Sequence, residues 1–270
     1  MLKTRIITAF ILLPLVLMAV FQLSSINWQC FVIGLCALGS WEWARFLGWQ
    51  EGRRIAYALA TALAGGALAL NTTVMLPGDM LLAVFSLAFW CLVVPLWLHF
   101  KWQLARFPVA GMLLGWAVLL SSGHAMVVWH ERVNGPWLLL ALMAVAWAAD
   151  TAAYFAGRRF GRRKLAPSIS PGKTWEGVAG AYVGVTLYGI AVAASPLGEQ
   201  FGGYGLLPAV LVLTALSVMG DLLESLFKRQ AGLKDSSSLL PGHGGILDRI
   251  DSQLAVLPVS AALLFLSTAL

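Results

Sequence analysis

The sequence predicts an all-α polytopic membrane protein of about nine transmembrane helices, with its N-terminus in the cytoplasm. Three observations carry that reading. Of 270 residues, 60% are apolar and 11% charged, against about 25% charged in an ordinary soluble domain. The mean hydropathy is +0.82, so there are too few polar side chains to coat a soluble core of this size. The apolar runs also match the roughly 20 helical residues that a hydrocarbon core of about 30 Å requires. Finally, the basic residues fall almost entirely on one side of the resulting topology.

The nine apolar intervals are Ile6–Leu23, Ile26–Phe46, Ile55–Leu70, Met80–Leu98, Val109–Trp129, Pro136–Ala156, Thr174–Ala194, Gly205–Phe227 and Asp251–Leu270. The first follows Lys3 and Arg5 in the manner of a secretory signal, but no small-x-small cleavage site comes after it, so it reads as a retained span. The second is interrupted by Trp41-Glu42-Trp43, and the third is short. Glycine and proline inside several runs do not disqualify them in lipid. Cys30, Cys36 and Cys91 sit in apolar runs with no disulfide or metal spacing and read as small buried hydrophobes.

With a cytoplasmic N-terminus, seventeen of the eighteen lysines and arginines lie inside, and only Arg132 lies outside. Gaining or losing one early span would destroy this partition. The net charge of +6 is therefore a product of positive-inside topology beside anionic lipid rather than a sign of nucleic-acid binding. Outer loops such as Asn71–Asp79 and His130–Gly135 are short. The two long polar segments, Gly157–Lys173 and Lys228–Ile250, are both cytoplasmic, which places any chemistry at the inner ends of spans six to nine.

Those segments hold the unusual residues. In "GDLLESLFKR", Asp221, Ser225 and Lys228 recur at helical spacing with Glu224 on the same face. Ionisable groups at that depth are costly and usually face a polar cavity. Pro241-Gly242-His243-Gly244-Gly245 is a turn whose backbone N–H groups suit a phosphate. Asp248 and Asp251 follow three residues apart. Asp248 alone reads as a helix N-cap, but Asp221, Asp248 and Asp251 together read as a hard-cation site for Mg²⁺, or for a pair of cations. In "SPGKTWEG", Ser170, Lys173, Thr174 and Glu176 form a turn into span seven, with Thr174 as N-cap and Glu176 in the first turn. The Arg158–Lys164 run reads as positive-inside anchoring. Asp150 is a lone acid within span six, where a neutral residue would be cheaper. Of the histidines, His99 and His130 read as interfacial and His124 as a hydrogen-bonded residue of the outer leaflet. His243, held between glycines, is the candidate for a phosphate contact. There is no Ser-His-Asp or Cys-His order, no Walker loop and no GxGxxG. Together these features suit phosphoryl or nucleotidyl transfer onto a lipid.

The residues from Ser225 to Asp251, "SLFKR", then Lys234-Asp235, then "HGGILDRID", resemble the C-terminal signature of phosphatidate cytidylyltransferases, also called CDP-diacylglycerol synthases. "SPGKTWEG" at 170–177 resembles a second motif of that family, and the multi-span architecture is similar. One departure is Ser236-Ser237-Ser238, where many members carry glycine at or near Ser237. The resemblance implies that CTP and phosphatidic acid give CDP-diacylglycerol and diphosphate with Mg²⁺. Asp221, Asp248 and Asp251 would hold the metal. Lys173, Lys228, Arg229 and Lys234 would neutralise the triphosphate and the lipid phosphate. Ser225, His243, Gly244 and Gly245 would shape the phosphate pocket, with Asp150, Asp235 and Arg249 beside them. Residues 1–135 then form a transmembrane scaffold and 136–270 the catalytic region, with the site facing the cytoplasm from the inner membrane. A homodimer is compatible with this reading. The rival readings are an ion-coupled transporter and a membrane transferase using another nucleotide or a polyprenol phosphate.

Overall fold

The computed structural model describes residues 2–69 and 77–269, with side chains from 8 to 68 (residue 9 excepted) and from 80 to 267. The expected outer loop Asn71–Asp79 therefore lies largely outside the described residues. So do the side chains of Lys3 and Arg5, and the ends of spans three and nine at Leu70 and Leu270.

A helix occupies each of the nine expected intervals. They are α1 (Leu2–Gln22), α2 (Ser25–Phe46), α3 (Glu51–Ala69), the continuous run of α4 (Pro77–Ala88), a π turn (Phe89–Val93) and α5 (Val94–Phe100), then α6 (Pro108–His130), α7 (Gly135–Phe160), α8 (Trp175–Ala193), α10 (Leu207–Gln230) and α12 (Gln253–Ala269). Short helices α9 (Pro196–Gln200) and α11 (Leu247–Ile250) sit in the connections. Among the described residues five helices are both long and apolar enough to cross a membrane: Met80–Phe100, Pro108–His130, Gly135–Phe160, Trp175–Ala193 and Gly203–Gln230. The protein is an all-α membrane protein, while α1, α2, α3 and α12 fall short of that criterion over their described lengths. Trp41-Glu42-Trp43 does not interrupt α2, which runs unbroken to Phe46.

The segment after α7 adds something the periodicity did not show. Strands β1 (Lys164–Ala166) and β2 (Ser170–Thr174) form an antiparallel hairpin, pairing Lys164 with Thr174 and Ala166 with Ser170. It ends in the expected cap: Thr174 Oγ1 accepts from Gly177 N at 3.1 Å, satisfying one of the free N–H groups that open α8.

Packing explains why the polar segments meet. α12 lies centrally, against α4, α6, α7 and α10. Phe227, at 1% exposure, sits among Trp43, Phe46 and Trp97, locking α10 to α2 and α5. At one end of the bundle, Lys101 Nζ donates to Ser168 Oγ at 2.8 Å. Gln230 Nε2 donates to the carbonyls of Lys101 and Trp102. Arg45 Nη1 donates to the Ser236 carbonyl. These bonds link, in series, the hairpin to the Lys101 segment, that segment to the end of α10, and the loop after α10 to the end of α2. At the other end, Gln29 Nε2 donates to Glu131 Oε1 at 3.2 Å.

Two expectations need correction. His130 is not simply interfacial: it is buried, stacked on Trp28 with centroids 4.5 Å apart, and one ring nitrogen lies 2.9 Å from the Val20 carbonyl. Of the cysteines only Cys36 is buried, its Sγ 3.3 Å from the Leu119 carbonyl, whereas Cys30 and Cys91 are exposed on the helix surface. Solvent of low polarity removes the penalty for an outward thiol, so burial inside the protein is not required of them.

Candidate functional site

α10 is the spine of the site. Its last three turns carry Asp221, Glu224, Ser225 and Lys228 down one face, as the spacing predicts. Ser225 Oγ donates to Asp221 Oδ1 at 3.2 Å. The helix can approach the turn before α12 because residue 220 is glycine: a Cβ there would sit 2.6 Å from the Asp251 carbonyl oxygen. Ser252 Oγ donates to the Ser217 carbonyl across the same contact. This close packing brings Asp251 beside α10.

On one flank of α10 lies a cavity of about 500 Å³ between α7, β2 and the start of α8. Asp150, Ser170, Lys173, Thr174 and Asp221 line it. Lys173 Nζ pairs with Asp221 Oδ2 at 2.5 Å, both side chains about a quarter exposed. Tyr154 and Arg158 also stand in its wall, and the sequence marks neither for this role, since Arg158 belongs to a basic run that reads as a membrane anchor. Arg158 Nη1 donates to Tyr154 Oη at 2.9 Å. Another cavity, of about 370 Å³, is bounded by apolar stretches of α7, α8, α10 and α12 and is lined by no charged side chain.

On the other flank a buried cation joins two carboxylates. Lys228 Nζ lies 2.9 Å from Glu224 Oε2 and 2.6 Å from Asp248 Oδ1. The three side chains are at most 11% exposed. Asp248 is not the N-cap of α11, a position that falls to Ile246. It lies inside the short helix and reaches back, its Oδ2 accepting from Gly245 N, Ser236 N and Ser236 Oγ, all at 2.8 Å. Burial opposes ionisation of Asp248. The hydrogen bonds from Lys228, Gly245 and Ser236 outweigh it and hold the carboxyl below its usual range. A depressed folded value means that its contribution to stability is present above about pH 4 and fades as pH falls through that lower value.

The glycine turn is built around Asp248. Gly244 has φ +79°, a conformation that disfavours other residues, and a Cβ there would press on Asp248 Oδ2. His243 Nδ1 is buried without a hydrogen-bond partner. Asp235 lies beside Gly244. Lys234, Asp235, Arg229 and Arg249 are exposed around the turn. Glu176 faces elsewhere: its carboxylate accepts from the backbone N–H groups of Arg162 and Arg163 at 3.0–3.2 Å, closing the hairpin onto α8.

The donor set decides whether a hard cation fits. Glu224 Oε1 is buried with no hydrogen-bond partner. Asp251 is within electrostatic reach of Asp221, Glu224 and Asp150. Carboxylate oxygens of this kind suit Mg²⁺. Among the described residues no three acidic, histidine or cysteine side chains converge as a closed metal site. Asp221, Asp248 and Asp251 in particular do not close on one point, and both oxygens of Asp248 already accept hydrogen bonds. A site with few protein ligands, completed by water and substrate phosphate, is the usual habit of Mg²⁺, and Asp221 and Asp251 fit that habit.

A membrane-embedded helical bundle with a basic and carboxylate-rich cleft at one end is the class that fold and site define. The sequence places it further. The model of the cytidylyltransferase family matches residues 3–267, and the chain belongs to that family. It is 43% identical to a phosphatidate cytidylyltransferase of Pseudomonas aeruginosa over 98% of this chain and 97% of the relative. It is 34% identical to one of Haemophilus influenzae over 96% of both chains, and 37% identical to one of Brucella suis over 98% and 92%.

Proposed function

We propose that this chain transfers a cytidylyl group from CTP to phosphatidic acid, forming CDP-diacylglycerol and diphosphate, at the cytoplasmic face of the inner membrane. The Lys173–Asp221 pair carries the reading: it lies in the 500 Å³ cavity beside Asp150 and Ser170, at the bundle end that also bears the glycine turn.

The substrate brings its own nucleophile. A phosphomonoester has a second pKa near 6, so phosphatidate is largely dianionic at neutral pH and needs no strong base. One of its oxygens attacks the α-phosphorus of CTP. That P–O bond forms as the bond from the α-phosphorus to the β-bridging oxygen breaks, and diphosphate leaves with the electron pair. The obstacle is bringing anion to anion, so the protein's part is positioning and charge neutralisation. Lys173 and Arg158 meet the lipid phosphate within the cavity. Lys228, Arg229 and Lys234 draw the triphosphate to the end of α10. Ser225, His243, Gly244 and Gly245 shape the phosphate pocket, and Asp150, Asp235 and Arg249 border it. Asp221 and Asp251, with Asp248 adding charge nearby, would hold Mg²⁺, which would supply charge neutralisation for the phosphates. An ion-coupled transporter needs a midplane site open to both sides, and these groups sit at one end.

Purified protein in detergent, given phosphatidate and each of CTP, ATP, GTP and UTP in turn, should yield CDP-diacylglycerol from CTP, and EDTA should stop it. Absence of a nucleotidyl lipid with every nucleotide would refute the reading. Sidedness has a separate check. Single cysteines at Pro167 and Leu239 should react with an impermeant maleimide only from the cytoplasm, and those at Asn134 and Glu199, both exposed, only from outside. Labelling of Pro167 and Leu239 from opposite sides would make a shared site impossible.

A further inference from the structure

Glu42 is fully buried near the end of α2, in the half of the chain read as scaffold, yet its carboxylate accepts from a loop some two hundred residues away. Its Oε1 accepts from Ser237 Oγ at 2.6 Å and Ile246 N at 2.9 Å. Its Oε2 accepts from Ser236 Oγ at 2.9 Å and Leu247 N at 2.7 Å. Two backbone N–H groups and the Ser237 hydroxyl thus donate to its two oxygens. Ser236 Oγ is shared: it lies 2.8 Å from Asp248 Oδ2 as well. A Cβ on Gly245 would collide with both Ser236 Oγ and Glu42 Oε1, so the glycine is what lets the turn close onto this carboxylate. Arg45, one turn further along α2, adds its bond to the Ser236 carbonyl.

We infer that Glu42 is a positioning residue for cytidylyl transfer: from α2 it fixes residues 236–247, and through Ser236 and Gly245 it sets Asp248 and the glycine turn. The inference rests on the proposed function for its kinetic consequence, but its structural half does not. Two backbone donors, Ile246 N and Leu247 N, aim at opposite oxygens of one group. Gln in place of Glu42 must turn its NH₂ toward one of them, donor against donor, and that side of the loop comes free. A carboxylate that merely balanced nearby charge would lose nothing of the kind.

The experiment compares wild type and Glu42→Gln by hydrogen exchange with mass spectrometry over peptides covering 240–250, without substrates, and by steady-state kinetics. Exchange should rise in those peptides while α6, α7 and α12 keep wild-type protection. kcat should fall about tenfold to a hundredfold, as misplacement of a reacting group by about 1 Å does, with KM for both substrates within about threefold. Unchanged exchange, or unchanged kcat, overturns the inference. So does protection lost evenly through the bundle, which would mean a purely structural role. If Glu42→Gln does not fold, Ser237→Ala, which removes one donor from the loop side, is judged by the same readouts with a smaller expected effect. Failure of wild-type protein to make product would refute the proposed function instead, and the substrate-free exchange keeps the two results apart.

Discussion

Asp221→Asn should leave a folded, extractable protein whose kcat/KM for CTP falls about 10³-fold, roughly 4 kcal/mol of transition-state stabilisation. Asparagine keeps the shape and still accepts from Ser225 Oγ, a bond of 3.2 Å in the native protein. It loses the charge, and charge is what a cation or a developing phosphate network reads. Stability should hardly move, because the Lys173–Asp221 pair is part-exposed on both sides and such pairs contribute about 0–1 kcal/mol. Asp248→Asn should lose comparable activity and also melt lower. Its Oδ1 faces the Lys228 ammonium and its Oδ2 faces three donors, so an amide NH₂ meets donors whichever way it turns. If both residues act through one cation, the double variant is little worse than either single one. kcat/KM against Mg²⁺ concentration, with Tm as control, tests this. Near-normal activity and Mg²⁺ dependence in Asp248→Asn would reduce Asp248 to a loop anchor and leave the metal to Asp221 and Asp251.

The contrast between these two aspartates shows what the sequence could and could not tell. Helix positions were legible because a membrane span is a long one-letter pattern, and the Asp221–Ser225 and Glu224–Lys228 pairs were legible because four residues make one turn. The Thr174 cap was legible for the same local reason. Contacts set by tertiary packing were not. Glu42 looked like a fault in an apolar run, although the argument applied to Asp150, that a buried acid is too costly to be idle, applied equally to it. Arg158 was hidden by its neighbours: in a run of five basic residues, nothing local says which one turns toward a cavity. Glu176 reads as a plain first-turn acid, and its partners Arg162 and Arg163 come within reach only once the hairpin folds. Asp248 has two local readings, cap and ligand, and the observed role matches neither alone, because Ser236 and Lys228 approach it from 12 and 20 residues away.

Lys228→Met should cause the largest loss of stability of any single change at the site. The ammonium lies between two carboxylates, 2.9 Å from Glu224 and 2.6 Å from Asp248, with all three side chains nearly closed to solvent. Removing one partner of a buried ion pair costs about 3–5 kcal/mol, because the charge left behind is desolvated and unmatched. Here two are left behind. Asp248 retains the Ser236 and Gly245 donors. Glu224 does not fare as well, since its Oε1 is already without a partner and its Oε2 would lose the only donor described for it. Most of the penalty should therefore sit on Glu224, and Glu224→Gln in the Lys228→Met background should recover stability by replacing that charge with a neutral amide. The single Lys228→Met variant should show a large drop in Tm and poor recovery from detergent. The double variant should regain much of both and remain inactive, because no cation then stands beside Asp248 to meet the triphosphate. Wild-type Tm in Lys228→Met would mean that the lysine is not what compensates the buried acids. A double variant no more stable than the single would move the penalty to Asp248, whose own donors would then have to be weaker than their 2.8 Å distances indicate.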